Sequence, residues 1–71
     1  MAWEKVTIHF NDTMLAGHSR GTMFTIPCAA KFKVGDVITA NDKQFKVTSV
    51  IDVAGRGEVF EIETKEVKDD K

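Results

Sequence analysis

Residues 31–50 read KFKVGDVITANDKQFKVTSV, with the tripeptide Phe-Lys-Val at 32–34 and again at 45–47. Aromatics interleaved with lysines can serve as a nucleic-acid platform, provided that ring and cation share one exposed surface. In extended backbone, however, side chains at i and i+2 point the same way. Phe32 then shares a face with Val34, and Phe45 with Val47, while Lys33 and Lys46 point opposite. The phenylalanines are therefore expected in a core and the lysines on a surface. Gly35-Asp36 enters a short strand, Asp36–Ala40, and Asn41-Asp42-Lys43 is a tight hairpin signal. Gln44–Val53 is the longest strand. Its alternation predicts Phe45, Val47, Ser49, Ile51 and Val53 inward and Lys46, Thr48, Val50 and Asp52 outward.

The same period-two pattern runs along the rest of the chain. Val6, Ile8 and Phe10 share one face of a first strand, opposite Trp3, Lys5, Thr7 and His9. Residues 11–21, NDTMLAGHSRG, are rich in turn formers and are expected as a loop, with Met14-Leu15-Ala16 as a helical turn or a cover over one barrel end. Thr22–Pro27 is a strand with Phe24 and Ile26 inward, ended or placed at an edge by Pro27, which has no N–H for the ladder. Ala54-Gly55-Arg56-Gly57 is a turn. Glu58–Thr64 is the last strand, with Phe60 and Ile62 inward and Glu61 and Glu63 outward. No segment carries a helical period. Five strands with one apolar face need closure to hide that face and their edges. The expected fold is thus all-β, a mostly antiparallel five-stranded barrel or roll of SH3-like or OB-like type, spanning residues 1–64, with a charged, fraying tail at 65–71. The Gly-Asp strand, hairpin and Phe-x-Val run resembles the central hairpin of SH3-like, PUA-like and translation-factor barrels, over about twenty residues.

A chain of 71 residues makes one small domain. At this size only about 60% of the unfolded surface is buried on folding, so stability is marginal without a support. Cys28 is the single cysteine, which excludes an internal disulfide and fits a reducing, cytoplasmic setting. His9, His18 and Cys28 lack the paired spacing of a zinc site, so no metal or other cofactor is expected. The opening MAWEKVTIHF has charges where a secretory leader needs an apolar stretch, Ala2 rules out N-myristoylation, and no apolar run is long enough for a membrane span.

The net charge of −1 gives no global pull toward nucleic acid or anionic membranes. Its distribution is uneven. Lys5 and Arg20 balance Glu4 and Asp12; residues 31–56 have an excess of cations, and residues 57–71 an excess of carboxylates.

Gly17-His18-Ser19-Arg20-Gly21 matches G-x-S-x-G, the nucleophile elbow of α/β-hydrolases. That motif needs a strand–turn–helix and a histidine later in the chain, and His18 is the last one. His18 and Ser19 are adjacent, so on extended backbone they point apart. Cys28 is expected as a packed thiol, and Glu61 with Glu63 as a solvated face. No catalytic set emerges, and the chain is read as a non-enzyme. The expected function is an interaction module that binds a protein partner or self-associates: a small inhibitor, an adaptor, or a structural piece of an assembly such as a phage particle. Its candidate anchors are Trp3, large and opposite the apolar face or else capping a barrel end, and the glycine-flanked Arg20 and Arg56. The alternative is a nucleic-acid-binding barrel that uses Lys31, Lys33, Lys43 and Lys46, opposed by Glu61 and Glu63 if these lie on a neighbouring strand.

Overall fold

The computed structural model describes residues 2–27 and 30–68. The chain forms an all-β, antiparallel closed barrel of six strands: β1 (Glu4–Phe10), β2 (Thr13–Arg20), β3 (Met23–Pro27), β4 (Val37–Ala40), β5 (Lys43–Asp52) and β6 (Val59–Val67). Around the barrel the order is β1-β2-β3-β6-β5-β4, with β4 returning to β1. The expected barrel is there, with one strand more than expected. The extra strand is β2, in the segment read as a loop.

The turn that creates β2 explains its presence. Phe10 pairs with Thr13 across Asn11-Asp12, and both turn residues have positive φ, 49° and 62°. Two-residue turns of this hand match the right-handed twist of a strand pair, and Asn and Asp tolerate them best after glycine. Asn41-Asp42 repeats the device, with φ of 54° and 62° between the partners Ala40 and Lys43. The repetition is visible in sequence: Ile8-His9-Phe10-Asn11-Asp12 and Ile38-Thr39-Ala40-Asn41-Asp42 share the frame I-x-x-N-D. The barrel is accordingly two three-stranded meanders, β1-β2-β3 and β4-β5-β6. They are joined edge to edge by β3 with β6 and by β1 with β4.

β2 lacks a strong hydrophobic signature because its inward face is nearly bare. Leu15 is half-buried, and the next inward position is the buried Gly17. A Cβ on Gly17 would stand 2.6 Å from the Thr25 carbonyl oxygen, so β3 can pass close only because glycine is there. The G-x-S-x-G match is thus the middle and end of a strand followed by the Gly21-Thr22 turn, with no elbow in it.

Ile8, Phe24, Ile26, Ile38, Val47 and Ile62 are fully buried and fill the barrel, and Phe24 meets Phe45 edge to face at 5.1 Å. Phe32 and Phe45 are both in the core, as their parity predicts. Val34 is not; it is 68% exposed. Alternation fails there because residues 31–36 form no strand. The Asp36 carboxylate accepts the Lys33 N–H at 2.8 Å, and Gly35 takes a φ of 100°. Phe32 instead packs on Phe10, ring centroids 4.5 Å apart.

Two more expectations change. A bulge between Val47 and Ser49 inverts the parity of β5. Beyond it Val50, opposite Ile62, packs against the core, while Ile51 and Val53 are 49% and 58% exposed. The last strand also continues past Thr64: Lys65 pairs with Lys46 and Val67 with Gln44. The described part of the expected tail is therefore strand through Val67, and Asp69–Lys71 lie outside the described residues. Thr64 is buried, and its hydroxyl donates to the Thr22 carbonyl at 2.8 Å. No buried side-chain N or O among the described residues lacks a partner. No helix among the described residues is long and apolar enough to cross a membrane.

Gly17 yields a direct test. Gly17→Ala forces a methyl against backbone that cannot swing aside, and is expected to cost about 2 kcal/mol of unfolding free energy, the range of core overpacking. Urea denaturation of the two proteins measures it. A loss below about 0.5 kcal/mol, the scale of a neutral surface change, would show that β2 and β3 are not held this close.

Candidate interaction surface

With the interior filled by side chains, chemistry that reaches a partner must sit on the outside. The register fixes what stands beside what. One outward row runs across five strands: Lys5, His18, Thr25, Glu61, Ile51, each the direct cross-strand partner of the next. A second row, two residues along, runs Arg20, Met23, Glu63, Ser49. The β1–β2 side of this face is cationic and the β6 side is acidic. Uncharged Thr25 and the half-buried Met23 on β3 separate them. Above these rows Pro27 pairs with Val59, and the Val53 N–H donates to the Val59 carbonyl at 3.0 Å, which gives a short apolar edge.

Two of the three expected anchors meet on this face. Trp3, 39% exposed, lies one residue before Glu4, whose partner is Ser19, so Trp3 is level with the exposed Arg20. They look unrelated in the sequence because the β1–β2 pairing that brings them level is not visible there. Arg56 stands apart. Its loop joins β5 to β6, whereas Arg20 ends β2 beside the Gly21-Thr22 turn, and strand direction puts these connections at opposite barrel ends. The Arg56 loop is organised by Asp52, whose two carboxylate oxygens accept the N–H groups of Gly55 at 3.0 Å and Gly57 at 2.7 Å.

The four lysines named from the sequence do not form one face. Lys46 points outward between Val37 and Lys65, its partners on either side. Lys43, by the parity of β5, belongs with Phe45 and stands at the strand's hairpin end, and Lys31 and Lys33 lie in the connection before β4. Glu61 and Glu63 lie on the neighbouring strand, but opposite Ile51 and Ser49. They do not face Lys46. The residue that sequence reasoning missed is Lys65. Little in the sequence signals it, since after Ile62 the inward positions of VFEIETKEV are the polar Thr64 and Glu66.

An open groove of about 630 Å³ crosses the β1–β2 ribbon over Thr7 and Ala16, between Pro27 and the Asn41-Asp42 turn. It is wide because these floor residues are small. Lys5, His9 and His18 border it. His9 pairs with Met14 and Thr39, and His18 with Lys5, so the two imidazoles are separated by the Thr7–Ala16 pair. No three His, Cys, Asp or Glu side chains among the described residues are grouped to hold a metal ion. Cys28 lies outside the described residues. Ser19 alternates with His18 and Arg20, and is half-buried where they are exposed, so it turns away from the imidazole. No protein-family model, curated protein or solved structure matches the chain.

Asp52 can be tested in isolation. Asp52→Ala should lower stability by about 1 kcal/mol, the net worth of such hydrogen bonds. It should also speed amide exchange at Gly55 and Gly57 while exchange at Ile8 and Ile62 stays slow. Unchanged exchange at both glycines would mean that Asp52 does not hold the loop.

Proposed function

We propose that this protein is a non-enzymatic interaction module that docks on a protein partner or on a second copy through the outer face of β1, β2, β3 and β6. The observation that carries this reading is the convergence of Trp3, Arg20 and Met23 on one face, beside a segregated pair of cationic and acidic flanks. Trp and Arg are the side chains most enriched where binding energy concentrates, and Met adapts its shape to a partner. A filled barrel of this size offers a partner its surface and not its interior. A small inhibitor, an adaptor or a piece of an assembly such as a phage particle would each use such a face. A cytoplasmic location is part of the proposal and rests on the single cysteine.

One observation favours a second reading, nucleic-acid binding. Lys46 and Lys65 are direct cross-strand partners on the outer face of β5 and β6. Like charges so placed repel, and an external polyanion would relieve them. The surface around them weakens the reading, for it has valines at positions 34, 37 and 67 and no exposed aromatic on which a base could stack.

The readings separate experimentally. The docking reading predicts that the purified protein self-associates or captures a partner from its source cell in fixed stoichiometry, and that Trp3→Ala and Arg20→Ala each weaken this by about tenfold or more, as hot-spot truncations do. A chain that stays monomeric and captures nothing would end that reading; loss through Arg56→Ala alone would move the site to the other barrel end. The nucleic-acid reading predicts retention on heparin or single-stranded DNA at low salt, lost steeply as salt rises and in the Lys46→Glu, Lys65→Glu double variant. The expected outcome is no retention.

A further inference from the structure

We infer that the partner seated on this face is a second copy of the chain, related by a two-fold axis that lies along β3. The inference rests on the docking reading above and adds the identity and geometry of the partner. Across the face the strands run β1, β2, β3, β6, β5. A two-fold parallel to β3, in the plane of contact, exchanges left and right and leaves height along the strands unchanged. It sets β2 of one copy over β6 of the other. Because Arg20, Met23 and Glu63 occupy one row, Arg20 comes to face the copy's Glu63, and Met23 faces its own equivalent on the axis. Because His18, Thr25 and Glu61 occupy the next row, His18 comes to face the copy's Glu61. Either ring state of His18 has an N–H to donate to that carboxylate. Both contacts come from one operation, and each occurs twice, four in all, as an isologous interface requires.

The other in-plane two-fold, perpendicular to the strands, stacks β2 on β2 and β6 on β6. It sets cation on cation and carboxylate on carboxylate, so the charge pattern chooses between the two axes. The flanks agree with the choice. The axis along β3 places β1 over the copy's β5, with Trp3 over Ser49 and Lys5 over Ile51, so that the exposed Ile51 is the diagonal neighbour of the exposed Trp3. The barrel is convex, so its flanks diverge from a flat contact. A large ring at one flank and an isoleucine at the other span the widening gap. A standard interface takes about 800 Å² from each partner, roughly a sixth of the 5120 Å² that this chain exposes. The three central strands and the two flank residues fit an association of that size or somewhat less.

Light scattering and sedimentation velocity of the whole protein, across a concentration series up to about 1 mM, the weak end of specific association, test the proposal. A dimer is expected, weakened by salt. Arg20→Glu and Glu63→Arg should each raise its dissociation constant by about tenfold or more, and the Arg20→Glu, Glu63→Arg double variant should return it to within about threefold of the parent, as charge pairs across an interface do. Circular dichroism checks that each variant folds. Where one does not, the wild-type protein decides through isotope-filtered nuclear Overhauser contacts between the Met23 methyls of a labelled and an unlabelled copy. A monomer throughout overturns the inference, as does a dimer indifferent to both single reversals, one that the double variant does not restore, or one without the Met23 contact. A monomer that still needs Trp3 and Arg20 to hold a different protein removes the second copy and leaves the docking reading in place. A monomer that holds nothing removes both.

Discussion

Closure of this barrel depends on a narrow seam. β4 is four residues long, and only Ile8 with Ala40 and His9 with Thr39 pair it to β1. Without that seam the sheet would have two free edges and its apolar face would meet water, an arrangement prone to association along the strand edge. The seam is supported from both sides. Ile8, Ile38 and Ala40 are buried beneath it, and Phe32 comes from the preceding connection to stack on Phe10 above it. Hydrogen bonds then tie the connection to β5, with the Gly35 N–H on the Val47 carbonyl and the Val47 N–H on the Asp36 carbonyl, both at 2.8 Å. The irregular stretch before β4 is thus part of the wall, and its irregularity is what lets Phe32 turn inward where a strand would have ended.

The seam also explains why the surface has the pattern it has. Closure fixes every strand's register relative to its neighbours, and register alone decides which outward side chains become a row. Arg20 and Glu63 are far apart in sequence, on strands that never touch, and they are level only because both pair with Met23. A one-residue slip of β3 against β6 would turn Ile62 outward and destroy the core before it rearranged the surface. The outer face therefore inherits its definition from the inner one, which lets a small module hold a constant surface without a large scaffold.

The parts of this design that alternation encodes were legible in the sequence. β1, β3 and the start of β6 follow period two, and their inward residues Val6, Ile8, Phe24, Ile26, Phe60 and Ile62 are buried as read. The illegible parts have three physical causes. β2 packs backbone against backbone at Gly17, so the half-buried Leu15 is the one large inward residue to announce it. The bulge in β5 adds one residue to the count, and both candidates for the inward position after it, Val50 and Ile51, are apolar; only pairing with β6 says which turns in. Val34 follows Phe32 at strand spacing in a segment that is not a strand. The Asn11-Asp12 turn was legible in principle, because the hairpin at Asn41-Asp42 uses the same two residues and the same backbone. For the site, Trp3, Arg20 and Arg56 could be named one by one from residue chemistry. Their grouping, with Arg56 left out, needed the strand order.

The lysine-bearing stretch around β4 and β5 shows how far residue chemistry goes without that order. Its two phenylalanines are in the core, so the aromatic half of a nucleic-acid motif is spent on the barrel. Its cations are dispersed by the hairpin: Lys43 to the turn end of the strand, Lys46 to the outer face, Lys33 to the connection whose backbone Asp36 fixes. A close cationic pair, Lys46 with Lys65, was assembled from a partner outside the stretch. That pair is tolerated because both ammonium groups stand in water, where the repulsion of two unit charges a few ångström apart is only about 1 kcal/mol and salt reduces it further. Arg20 and Glu63 are in a different position. They are two strands apart, about 10 Å at ordinary strand spacing, with a half-buried methionine between them. Opposite charges held that far apart on one rigid face stabilise the barrel little, but they give the face a fixed polarity.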